Sequence, residues 1–161
     1  MKRFLSNFFY NIFLTCLIIS IFNIFHSETK SESKVLACVD ELHESLIKIS
    51  DKTINSDNLE MIDDVVKNSY DLEKMGKIII GVDWKQIDTK TQKEFVNVFK
   101  RFISVNYFRR FNKINELNFE HQTVKVIGDK FKLAGVILTA DKEKLKIDYL
   151  LGFKNQKWKI F

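Results

Sequence analysis

The chain has 161 residues, 45% of them hydrophobic and 29% charged, with 15 Phe, 5 Gly and no Pro. That length and composition exclude a second independent core and a disordered, low-complexity chain, and leave one globular domain with a short appendage. The net charge of +5 falls to +3 without residues 1–27, which hold Lys2 and Arg3 and no acid, leaving 24 basic against 21 acidic residues. This excess fits transient contact with an anionic membrane and falls short of a nucleic-acid groove.

Met1-Lys2-Arg3 is a cationic start, and no charge interrupts the sequence from Phe4 to Phe25. A cationic region before an apolar run reads as a secretory signal over residues 1–27. A run of this length also suits a retained N-terminal membrane anchor, against which Asn7, Asn11 and Asn23 weigh. Either way the expected location is outside the cytoplasm. Cys16 lies in this segment, so a processed chain keeps Cys38 alone and forms no internal disulfide. Residues 28–34 are polar and read as a linker; a domain over 35–161 follows.

Val35, Leu36, Val39, Leu42, Leu46, Ile47 and Ile49 recur at helical spacing and predict a first helix to about Ile49. Lys52 to Asp57 is a turn in which Ser56 or Asp57 caps a second helix carrying Leu59, Ile62, Val65 and Val66. A third helix runs from about Asp71 to Ile80 and stops at Gly81, with Trp84 in the connection. Asp88-Thr89 opens the longest helix, to about Asn112, whose stripe holds Phe95, Val98, Phe99, Phe102, Ile103 and Val105 to Phe108. After Asn115 the period becomes two. Runs at 118–127, 130–140, 144–153 and 157–161, parted by turns at Gly128-Asp129, Asp141-Lys142 and Lys154-Asn155, predict an antiparallel meander. In the third run Leu145, Ile147, Tyr149, Leu151 and Phe153 share one face, which the helices must cover. The fold class is therefore α+β, with N-terminal helices packed on a four-stranded sheet.

Catalytic and metal patterns are sparse. His26, His43 and His121 are far apart in sequence and read as surface histidines, and no phosphate loop, nucleophile elbow or HExxH occurs. Asp63-Asp64 reads as a solvated helix face. Phe108-Arg109-Arg110 is the one doubled arginine in an aromatic stretch, too little for nucleic acid.

One combination of residues stands out: Tyr70-Asp71-Leu72, Met75-Gly76, Ile80-Gly81 and Trp84, then Thr91-Gln92, Phe95, Phe99 and Tyr107, and later Asp148-Tyr149 and Trp158-Lys159-Ile160. In order and spacing it resembles the MlaC family, periplasmic phospholipid-carrying components of an ABC transport system that are also known as toluene-tolerance auxiliary proteins. The resemblance covers residues 35–161. Family members continue past the Trp-Lys-Ile strand with a Gly-Val-Ser-like step and a C-terminal helical region, whereas this sequence stops at Phe161. It reads either as a short variant or as a truncated reading frame, and the completeness of the lipid cavity depends on which.

The resemblance implies a phospholipid ligand and no other cofactor, no metal and no catalysis, with an inner-membrane ABC transporter complex and an outer-membrane lipoprotein complex as partners. It also implies a cavity between helices and sheet. Phe95, Phe99 and Phe102 opposite Val136, Leu138, Ile147, Tyr149 and Leu151 are the candidate lining, and a close-packed core is the competing reading of the same residues. Tyr70, Asp71, Gly81, Trp84 and Trp158 are expected to shape the fold, Asp71 as a helix cap and Trp84 at the helix–sheet junction. Two other functions suit the residues: a membrane-anchored interaction module, and an isomerase-like enzyme of cone-shaped fold. The enzyme needs a buried carboxylate or histidine of shifted pKa, for which Asp148 is the one tempting acid.

Overall fold

The computed structural model describes residues 32–52, 58–128 and 130–161. The predicted targeting segment, most of the linker and the Ser56/Asp57 cap lie outside the described residues. The chain divides into a unit of Met1–Lys34 and a unit of Val35–Phe161, and the architecture that follows is that of the second.

Helix α1 covers residues 32–50. It buries Val35, Val39, Leu42, Leu46 and Ile49, alternating steps of four and three that keep one stripe turned inward. Helix α2, Asn58–Ser69, adds Ile62, Val65 and Val66 to the same core. At its end Tyr70 bridges to Ile160, and the Asp71 N–H donates to the Ile160 carbonyl at 2.8 Å, which ties the end of the sheet to the helical layer.

Helix α3, Leu72–Ile80, is capped by Asp71, whose carboxylate accepts from the Lys74 N–H at 3.1 Å. It ends at Gly81 with φ of 72°, a conformation that costs residues with a Cβ. A 3₁₀ turn, Gly81–Gln86, carries Trp84 inward. Helix α4, Thr89–Phe111, starts from an Asp88 cap that accepts from the Lys90 and Thr91 N–H groups. Asp63 on α2 is not a solvated carboxylate as its neighbourhood in the sequence suggests. It faces Lys100 at 3.5 Å and Arg101 at 3.2 Å and joins α2 to α4.

The strands β1 (Leu117–Ile127), β2 (Phe131–Ala140), β3 (Glu143–Lys154) and β4 (Lys157–Ile160) form an antiparallel meander in sequence order. The last turn centres on Asn155-Gln156, one residue later than expected. Both residues have positive φ, as do Asp141 and Lys142 in the turn before, because a two-residue hairpin with that twist matches the right-handed twist of its strands. Register places Val136 opposite Ile147 and Ala134 opposite Tyr149. That face, with Leu138, Leu151 and Ile160, closes the core against α1, α2 and α4. No helix among the described residues is long and apolar enough to cross a membrane.

Candidate functional site

The interior is lined by rings rather than by aliphatics alone. The Tyr70 and Tyr107 hydroxyls share a hydrogen bond. Tyr107 meets Phe111 edge-on at 5.8 Å, Phe111 lies against Phe119 at 6.4 Å, and Phe119 stacks on His43 at 3.8 Å with planes 7° apart. The series ends where His43 Nε2 and the Tyr149 hydroxyl share a hydrogen bond of 3.2 Å. Offset aromatic pairs of this kind add about 0.5–1.5 kcal/mol each beyond their burial. Burial holds the Tyr70 and Tyr149 hydroxyls protonated by pushing their pKa values up. It also holds the His43 imidazole neutral, with its pKa down at about 3, helped by the neighbouring His121.

A second ring ladder lies between α3, the 3₁₀ turn and α4. Trp84, only 3% exposed, meets Phe95 edge-on at 5.7 Å, and Phe95 stacks on Phe99 at 5.7 Å. Gly76 makes room for it, since a Cβ there would lie 3.0 Å from both the Trp84 and Phe95 rings. The Gln92 amide fastens the turn by donating to the carbonyls of Trp84 at 2.8 Å and Ile87 at 3.1 Å. Beside this ladder opens a cleft of about 470 Å³ lined by Glu73, Trp84, Gln92, Lys93, Val96 and Asn97. A cleft of that size takes a drug-sized molecule, for which about 300–1,000 Å³ is usual, or part of a larger lipid.

Of the candidate lining residues, Val136, Leu138, Tyr149 and Leu151 are buried, with Ile147 and Phe99 half-buried against them. Phe95 belongs to the Trp84 ladder. Phe102 stands apart at 63% exposure, because α4 carries apolar residues on two faces and Val98 and Phe102 share the outer one. Of the family-motif residues, Tyr70 and Asp71 pin the sheet end, Gly81 and Trp84 build the turn, and Trp158 packs against Phe153 at 5.3 Å. Asp148 lies on the outer face, 3.8 Å from Lys146.

Two of the three histidines have partners that the sequence did not suggest, and His26 lies outside the described residues. His43 is 3% exposed, not a surface residue, and His121 Nε2 meets Asp40 Oδ1 at 2.5 Å. Sequence reading missed both because it saw His43 as one polar residue beside an apolar stripe. Yet Leu42, His43, Leu46 and Ser50 all fall on the buried side of α1. The step of three from Asp40 to His43 was the available signal.

Helices over one face of a four-stranded antiparallel meander, packed on a core rich in aromatic rings and with a cleft between α3 and α4, define a small α+β protein. The sequence matches the family described as MlaC protein over residues 37–161, and the chain belongs to the MlaC family. Among solved structures it is similar to a phospholipid-binding protein from Ralstonia solanacearum, determined in complex with a phospholipid. That likeness has a TM-score of 0.65 and 18% identity, covering 80% of this chain and 74% of the other, and it establishes a shared fold. A putative NTF2-like transpeptidase from Campylobacter jejuni is more distant, with a TM-score of 0.38 and 13% identity over 56% of this chain and 86% of its own. No curated protein matches the chain by sequence.

Proposed function

We propose that the protein is a periplasmic phospholipid carrier, without catalysis, that shuttles lipid between the inner-membrane ABC transporter complex and an outer-membrane lipoprotein complex. The observation that carries this reading is membership of the MlaC family over residues 37–161, in a fold shared with a protein solved with a phospholipid bound. The acyl chains lie between α4 and the sheet, against Phe99, Val136, Leu138, Ile147, Tyr149 and Leu151. Phe95 and the Trp84 cleft form the margin of this site.

A two-chain lipid holds about thirty methylenes, each of which costs about 0.8 kcal/mol to leave in water, so unassisted crossing of an aqueous gap is prohibitively slow. Taking the lipid from a bilayer yields no such gain, because the membrane interior is as dry as a cavity. Opening the packed interior therefore has to be inexpensive, and a ligand selects the open population by its preference for it. Phenol hydroxyls inside the core suit this role, since they can exchange partners as helices move.

The test is native mass spectrometry of the chain purified from a bacterial periplasm, followed by lipid extraction. One phospholipid per chain is expected, with exchange into vesicles. A folded protein that carries no lipid and takes none up from phospholipid vesicles would overturn the proposal.

A further inference from the structure

Asp40 and His43 lie one helical turn apart on α1 and so share a face, and His121 projects from β1 toward them. One donor atom from each of the three lies within 4.8 Å of the other two. His121 is the last paired residue before a register shift that resumes at Val124, and such bulges re-aim the side chains beside them.

The hydrogen bonds present do not account for the group. Asp40 satisfies His121 Nε2, and Tyr149 satisfies His43 Nε2. Both Nδ1 atoms, on His43 and His121, are buried with no partner, where more than about 90% of buried polar groups have one. His43 itself is 97% buried, its exposure being 3%. The Asp40 and Tyr149 contacts account for two of the four ring nitrogens and leave both Nδ1 atoms unexplained.

We propose that Asp40, His43 and His121 form a site for a divalent transition-metal ion of the zinc class. Two imidazoles and a carboxylate are the donors such ions take, and donors around tetrahedral zinc sit about 3.3 Å apart. Side-chain adjustments of about 1–2 Å bring atoms now within 4.8 Å of one another to that spacing, with the 2.5 Å Asp40–His121 contact opening to admit the ion. Tyr149 then serves as the outer partner that fixes the His43 ring, as hydrogen-bonded neighbours of metal-bound histidines do. Three protein ligands leave a position for water. The ion clamps α1 to β1 across 81 residues of sequence, between Asp40 and His121, and so stabilises the helical layer on the sheet whether or not the chain carries lipid.

The probes are Co²⁺ and Zn²⁺, added to the tag-free chain purified from the periplasm and stripped with chelator. The expected result is one Co²⁺ per chain with visible d–d bands and no thiolate charge-transfer band, which separates this site from Cys38. Zn²⁺ should displace it and raise Tm by about 5–10 °C when present about 100-fold above Kd. Asp40→Asn and His121→Gln, both at partly exposed positions and able to fold, should each weaken binding at least about 100-fold. No saturable binding below about 1 mM, a weak interaction by any measure, would overturn the proposal. So would unchanged affinity in both variants.

Discussion

Cys38 shows how far local surroundings set a residue's chemistry. Its sulfur lies 3.7 Å from the Ser69 carbonyl, and burial raises the thiol pKa to about 11 from an ordinary 9.0. Because the thiolate is the nucleophile, native Cys38 should react with iodoacetamide at pH 8 about a hundredfold more slowly than an unfolded thiol. Timed alkylation in buffer and in urea measures this. The sign for stability follows from the raised folded value. The contribution is complete below pH 9 and is lost as pH rises through about 11, where the unfolded chain releases the proton more readily. Equal labelling rates in both states would show the thiol to be open to solvent.

Asp71 does three tasks with one carboxylate and one N–H. It caps α3 through the Lys74 N–H, meets Lys154 Nζ at 2.9 Å, and bonds Ile160 through its backbone. Asp71→Ala removes the first two and leaves the third. A lost cap costs about 1 kcal/mol, and an ion pair whose lysine is still half in solvent, though Asp71 is buried, adds about 1 kcal/mol or less. Urea denaturation should therefore show a loss of about 1–2 kcal/mol with an unchanged m-value.

At the scale of elements, the junction of α3, the 3₁₀ turn and α4 is held by Gly76 and Gln92 as much as by Trp84. Gly76→Ala drives a methyl into ring atoms 3.0 Å away on both Trp84 and Phe95. Overpacking of this kind costs about 1–3 kcal/mol, and Trp84 fluorescence should shift toward that of a wetter indole. Gln92→Ala leaves the Trp84 and Ile87 carbonyls without the amide that now serves both, at about 1–3 kcal/mol. A thermal melt unchanged from the parent in both variants would mean that the turn is held by other contacts.

These same elements show what the sequence made legible. The steps of four and three in α1, the Asp88 cap of α4 and the period of two in β3 each follow from local spacing, so most helix and strand ends could be read within a residue or two. Helix α1, however, begins at residue 32, three residues before Val35 and inside the expected linker. Which face of α4 turns inward could not. Its apolar residues wrap more than half the helix, and only the packing separates half-buried Phe99 from exposed Phe102. The Asp40–His121 contact, spanning 81 residues, depends on the register of β1 against β2 and on the bulge after His121, which no local pattern encodes. The motif residues Gly76, Gly81, Trp84 and Gln92 were visible as a combination, while their joint work in one turn emerged from the geometry.

For the whole molecule, the proposed carrier function requires that it meet a membrane surface briefly and leave it again. The sequence carries net charge +5, or +3 without residues 1–27, and α3 together with the following turn exposes Ile78, Ile79 and Val82 at 62%, 59% and 84%. Three small aliphatic side chains bury little area on contact, which suits a reversible touch, and a mild positive charge draws the protein to anionic lipid over roughly 8–10 Å at physiological salt. On that account Ile79→Ser with Val82→Ser should slow lipid transfer between vesicles several-fold while leaving lipid stoichiometry intact. Stability should change by no more than about 0.5 kcal/mol, because exposed positions contribute little to the core. Raising salt from 0.05 to 0.5 M should slow transfer from anionic vesicles and leave neutral ones unaffected, since salt screens only the charge term. A double variant that transfers lipid at the parental rate would move the contact elsewhere, and Val98 and Phe102, exposed on the outer face of α4, are the residues to change next.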